Sequence, residues 1–191
     1  MERRRDLERA VGEDRLVRRA RRRDAAAFTE LVRRYDAQLR DLAFHLLGDR
    51  DLIDDAMQEL YVKAFRALPG FKGRASVGTW LYRLTYNACL DELRRSRRRP
   101  SPVSLEEIPE PSAATPDPAE TLSGPDELRA ALLEMPPDQR AAMWLVDAMG
   151  FDYTQAATIM ATPVGTVASR LNRARTALRR TLASAELEME R

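Results

Sequence analysis

Residues 100–128 hold seven of the chain's eleven prolines (Pro100, Pro102, Pro109, Pro111, Pro116, Pro118, Pro125) and seven acids, but neither Lys nor Arg. Such a stretch has no helical periodicity and little apolar surface to bury. It reads as an extended, solvated linker, and whatever folds must fold on either side of it. Charge follows the same division. Residues 1–99 carry 24 basic and 16 acidic side chains, the linker only its seven acids, and residues 129–191 eight basic and seven acidic. Basic blocks strapped together by an acidic segment make nucleic acid the first partner to consider.

Both flanks read as helices. From Asp24, apolar residues fall at Phe28, Leu31, Val32, Tyr35, Leu39 and Leu42, spaced by three and four, and the segment closes at Gly48 as one buried stripe with a C-cap glycine. A second stretch, about Asp51 to Leu68, turns Ile53, Met57, Leu60, Tyr61, Ala64 and Phe65 inward and stops at Pro69-Gly70. A polar loop, Phe71–Gly78, precedes a third helix from Thr79 to about Arg95 carrying Trp80, Leu81, Leu84, Ala88 and Leu93. No alternating strand pattern is present. The chain reads as all-α: two small helical domains joined by an extended acidic Pro-rich linker.

The C-terminal part divides into shorter helices, Asp126–Met135 and then Pro137 to Gly150, with proline suited to the first helical position. Asp152 and Gln155 have the spacing of a capping box, and Thr162-Pro163 reads as N-cap and first turn of a last helix. Helix, short turn and helix from Asp152 to Arg180 form a helix-turn-helix. Val167, Leu171, Ala174 and Leu178 mark its buried stripe, so Thr166, Ser169, Arg170 and Arg173 face elsewhere. Arginine pairs bidentately with guanine in the major groove, and hydroxyls reach bases or phosphates. Arg175, Arg179 and Arg180 sit further along, better placed for phosphates.

Several function classes are disfavoured. One cysteine, Cys89, excludes an internal disulfide framework and a cysteine-rich zinc site. One histidine, His45, leaves little room for histidine-based chemistry, and it reads as a packed or capping side chain near Gly48. There is no Gly-rich phosphate loop, metal-ligand cluster or nucleophile–base pair, so no catalytic residue, cofactor or metal is expected. Apolar runs fall short of the roughly 20 residues of a membrane span, and a cytoplasmic protein is expected.

Three stretches carry a resemblance. Asp55-Ala-Met-Gln58-Glu59-Leu-Tyr-Val-Lys63, the loop and helix from Phe71 to Asn87, and Pro163 to Arg175 resemble, in order, three segments of bacterial extracytoplasmic-function (ECF) sigma factors. The likeness runs from about Asp14 to Leu182. It implies a core RNA polymerase docking face at Asp55, Gln58 and Glu59, a polar face for which the sequence suggests no internal partner. It implies a −10 element reader at Lys72, Arg74, Ser76, Trp80, Arg83 and Asn87, whose loop captures a base flipped from melting DNA. The spacing of Trp80 to Leu84 also favours a core role for that indole. A −35 reader is implied at Thr166, Ser169, Arg170, Arg173 and Arg175. Ala168 occupies a position usually Lys or Arg in that family. The implied layout is a basic extension over residues 1–13, a first domain over 14–99, a linker over 100–124 and a second domain over 125–191. Core polymerase, promoter DNA and an anti-sigma factor are the expected partners. Without the first two stretches, an autonomous helix-turn-helix regulator would be the reading.

Overall fold

A computed structural model describes residues 12–98 and 132–189, with side chains as far as residue 180. The expected linker, the Arg-rich start and residues 126–131 of the expected Asp126–Met135 helix lie outside the described residues. Among the described residues, all regular structure is helical and no strand occurs. The helices are α1 (residues 12–20), α2 (Ala25–Arg33), α3 (Asp36–Leu47), α4 (Arg50–Ala67), α5 (Val77–Ser96), α6 (Pro137–Met143), α7 (Tyr153–Met160) and α8 (Val164–Met189).

Most boundaries follow from local chemistry. Asp49 caps α4 by accepting from the Asp51 and Leu52 amides, and a 3-10 turn at Leu68–Gly70 ends it. Gly48 closes α3 at φ 70°, the left-handed conformation that glycine tolerates, and its amide bonds to Phe44 O. Ser76 caps α5 through the Thr79 amide. The capping box at Asp152 and Gln155 is fully formed.

Three local expectations need correction. The segment from Asp24 to Gly48 is two helices, because Arg34 and Tyr35 form a turn closed by bonds to Leu31 O and Val32 O. Tyr35 is diverted to other partners: its hydroxyl donates to Glu13 at 2.6 Å, and its ring fills the space a Cβ on Gly78 would need, 2.8 Å away. At the last helix, Pro163 rather than Thr162 supplies the first accepting carbonyl, to Thr166 and Val167. Finally, α6 does not run unbroken to Gly150. It passes into a π-turn at Trp144–Ala148, with Met149 N bonding to Trp144 O at 3.0 Å.

One continuous buried cluster runs from Ala20 through Leu31, Leu42, Leu60 and Leu81 to Leu145, Ile159 and Leu171. The helices before and after the linker therefore pack on each other, with α5 against α3, α4 and α7, and α3 against α6. Three contacts define that join. Arg140, 5% exposed, donates from Nη2 to Leu46 O at 2.7 Å and from Nη1 to Leu132 O at 3.2 Å. The His45 imidazole stacks on Trp144 with centroids 3.3 Å apart. Tyr82 meets Phe151 edge-on at 4.9 Å.

Burial at the join raises the Tyr82 hydroxyl well above its ordinary range. His45 is thus the packed side chain the sequence suggests, with Nδ1 2.8 Å from Asp41 O. Cys89 is fully buried, and desolvation pushes its thiol up to about 12, as befits an inert core residue.

Candidate nucleic-acid interface

The loop between the 3-10 turn and α5 owes its shape to Gly73, at φ 68°, and to Ser76, which shares a 2.8 Å bond with the Thr79 hydroxyl besides capping the helix. Its walls are Phe71 and Trp80, whose rings lie 5.3 Å apart and tilted by 49°. Together with Lys72, Arg74 and Arg83 they border a pocket of about 320 Å³. Thr158 of α7 also lines it, so the C-terminal helices reach the mouth of this loop.

Lys72, Arg74, Ser76, Arg83 and Asn87 are exposed. Arg83 and Asn87 follow Trp80 down the same side of α5 at helical spacing. Trp80 itself is half-buried against the core cluster, with one flank on the pocket. Packing and pocket-lining are therefore both met by one indole. The structure gathers Lys72, Arg74, Trp80 and Arg83 around this one pocket; Ser76 and Asn87 are exposed but do not line it. An aromatic wall beside three cations suits a stacked base with flanking phosphates.

On α4, Asp55 and Gln58 are exposed. Glu59 differs from expectation because it does have internal partners. It binds Lys63 at 2.6 Å on its own helix and Arg95 on α5, and Lys63 also reaches Asp91 at 3.5 Å. The hydrogen bond from Lys63, followed by that from Arg95, holds the Glu59 carboxyl below the usual glutamate range. Glu59 thus ties α4 to α5, leaving Asp55 and Gln58 as the open part of that face. Arg94 pairs with Asp91 and Arg95 with Glu59, and both, like Arg97 and Arg98, are exposed.

In the helix-turn-helix, Ala161 turns the chain at φ 49°; Val167, Leu171 and Ala174 are buried as the stripe predicts, while Leu178, its fourth expected member, is only half-buried. Ser169 and Arg173 are exposed and Thr166 is half-buried; the Ser169 hydroxyl donates to Thr166 O. Arg170 and Arg175 are committed elsewhere. Arg170 pairs with Asp138 of α6 at 2.8 Å, and Arg175 forks onto Asp147 of the π-turn at 2.9 and 2.5 Å. Asp138 and Asp147, which the sequence did not single out, orient both guanidinium groups across the face of α8. No periodicity signals such pairing, since the partners lie 28 or more residues away in the chain.

Among the described residues, no group of three or more His, Cys, Asp or Glu side chains is arranged to hold a metal ion. No described helix is long and apolar enough to cross a membrane.

Residues 31–99 match the Sigma-70 region 2 family, and residues 126–178 match Sigma-70, region 4. These two matches, one on each side of the linker, define the chain as a promoter-recognition subunit of RNA polymerase. Among its relatives is the ECF RNA polymerase sigma factor SigM of Mycobacterium tuberculosis, 37% identical over 159 residues, covering 83% of this chain and 79% of that protein. The ECF RNA polymerase sigma-E factor of Escherichia coli is 34% identical over 173 residues, covering 85% and 90%. Among solved structures, the sigma factor RpoE in complex with the anti-sigma factor NepR, from Bartonella quintana, matches with a TM-score of 0.64 at 26% identity. That match covers 82% of this chain and 96% of that one. CnrH, solved with the cytosolic domain of CnrY, shares the fold with a TM-score of 0.63 at 21% identity, covering 91% and 98%.

The chain belongs to the ECF family of RNA polymerase sigma factors. It binds core RNA polymerase and directs promoter recognition and transcription initiation.

Proposed function

We propose that the chain divides this task between two reading units, residues 14–99 and 125–191, with residues 100–124 as the tether and residues 1–13 as a basic extension. The observation that carries the division is the loop pocket, in which aromatic walls and exposed cations share one surface. Lys72, Arg74, Ser76, Trp80, Arg83 and Asn87 take the −10 element as a single strand, with Phe71 and Trp80 walling the pocket for an unstacked base.

Thr166, Ser169, Arg170, Arg173 and Arg175 take the −35 element as duplex. The N-terminal half of α8 is offered to the major groove, and Arg170 and Arg175 are steered by their carboxylate partners. Asp55, Gln58 and Glu59 dock core polymerase. The chain works in the cytoplasm, carries no catalytic activity of its own, and is held in check by an anti-sigma factor, as the Bartonella relative's complex with NepR suggests.

Run-off transcription tests this reading. The purified chain is added to sigma-free core polymerase with fragmented genomic DNA, and the 5′ ends of the products are sequenced. Discrete starts sharing two spaced upstream elements are expected. Absence of stimulation, with the core shown active using another sigma factor, would overturn the reading in favour of an autonomous helix-turn-helix regulator.

A further inference from the structure

Helix α1 and the turn after it precede the region 2 match, which begins at residue 31. Ala20 is 2% exposed and Leu16 and Val17 pack on the core, so this helix is firmly seated. Its arginines consequently point outward: Arg15 and Arg18 on the helix, and Arg21, Arg22 and Arg23 in the turn, are all exposed. Arg19 is paired, to Asp24 at 2.7 Å. Among the described residues, no carboxylate lies within ion-pair distance of Arg18, Arg21 or Arg22.

These three guanidinium groups border, with Pro69, a concavity of about 350 Å³. The next residue, Gly70, borders the loop pocket. The two hollows are therefore neighbours along the chain, and the cations of the first continue those of the second, Lys72 and Arg74. A helix C-terminus favours nearby positive charge, which accounts for one arginine there. Three sharing a rim repel one another unless an anion sits between them.

We propose that the Arg18–Arg21–Arg22 rim carries the phosphates of a single DNA strand as it passes the loop pocket, lengthening the strand contact beyond the residues of the −10 reader. This rests on the reading of the loop as a strand-binding site. Phosphate contacts add affinity without sequence information. The rim therefore acts alike on every promoter, by prolonging the hold on melted DNA rather than by choosing it. Its contribution is salt-dependent, with a slope of about 0.7 per neutralised phosphate on single strands.

The test measures anisotropy of a 5′-labelled 20-nucleotide oligothymidylate bound by the full-length chain, from low to moderate salt. Arg18→Ala/Arg21→Ala/Arg22→Ala should lower the slope of log K against log salt by about 2 and cost roughly ten- to a hundredfold in affinity near 0.1 M salt. The triple lysine variant, which keeps the charges, should restore most of it. Circular dichroism of each variant checks that α1 remains seated.

If Lys72→Ala/Arg74→Ala weakens strand binding while the α1 triple variant does not, the loop reading stands and the rim proposal is wrong. If neither variant changes binding, or the wild type does not bind the strand, the loop reading fails and the rim proposal falls with it. A triple variant that loses core polymerase affinity at an unchanged DNA salt slope would reassign the rim to polymerase. A greater loss on a duplex 20-mer than on the single strand would also overturn the proposal.

Discussion

Arg140 is the side chain whose removal should most directly separate the helices before the linker from those after it. It is 5% exposed, and burial alone lowers the pKa of its guanidinium. Among the described residues no carboxylate compensates it; its partners are two carbonyls. Leu46 O belongs to the last turn of α3, where helix carbonyls lack internal partners and the dipole favours a cation. A hydrogen bond from a charged donor contributes about 1.5–3 kcal/mol, and the bond to Leu132 O lies within the C-terminal helices.

Only the bond to Leu46 therefore counts towards docking. Desolvation of the cation offsets part of it, and the orphaned Leu46 carbonyl adds to the cost of losing it. For Arg140→Ala the balance comes to about 2 kcal/mol, or roughly a thirtyfold shift toward the undocked form. Small-angle scattering should show a larger radius of gyration for the alanine variant, with Arg140→Lys in between. Because the partners are carbonyls, the shift should depend little on salt. An unchanged radius together with an unchanged single melting transition would refute the reasoning. So would a large salt effect, which would mean that an ion pair holds the join.

Four further outcomes are expected. Asp55→Arg should abolish core polymerase binding in a pull-down while leaving the helical circular dichroism intact, since Asp55 is exposed on α4; normal binding would remove that residue from the docking face. Arg173→Ala should cost about 1–3 kcal/mol of promoter binding and relax one base preference, as read by selection on randomised −35 sequences; an even loss across sequences would make it a phosphate contact. The depressed Glu59 carboxyl contributes stability that is complete above the ordinary glutamate value and is lost as pH falls through its lowered folded value. Melting temperatures from about pH 6 to about pH 3 should consequently fall further for the wild type than for Glu59→Gln, by a modest amount because the group is partly solvated. Gly48→Ala should destabilise by about 1–2 kcal/mol in chemical denaturation, since φ 70° is unfavourable for alanine and its Cβ would lie 2.6 Å from a Leu133 methyl.

What the sequence made legible was whatever is decided within one or two helical turns. The Gly48 cap, the Asp152–Gln155 box and the Val167–Leu171–Ala174 stripe each depend on neighbours a few residues away, and each is present. Lys72, Arg74, Trp80 and Arg83, which the family resemblance singled out, also lie close in the chain and line one pocket. What escaped was set by contacts between residues far apart in the chain, several of them across the linker. On α5 the pattern selects Trp80, Leu81, Leu84, Ala88 and Leu93, yet Tyr82, Thr85, Tyr86 and Glu92 are also buried, and Trp80, Leu84 and Leu93 only partly so.

A single hydrophobic stripe describes a helix packed on one neighbour. α5 packs on α3, α4 and α7, and the wider burial falls on tyrosines whose rings suit an interface while their hydroxyls keep them off a hydrophobic count. Arg140 escaped for the same reason in sharper form. An arginine between Gln139 and Ala141 reads as a solvated position, and only the distant C-terminus of α3 supplies the carbonyl that lets it be buried. Arg170 and Arg175 show the effect on α8. Spacing places them on the last helix, but the carboxylates that orient them come from α6 and the π-turn, so their geometry is a property of the fold rather than of α8 alone.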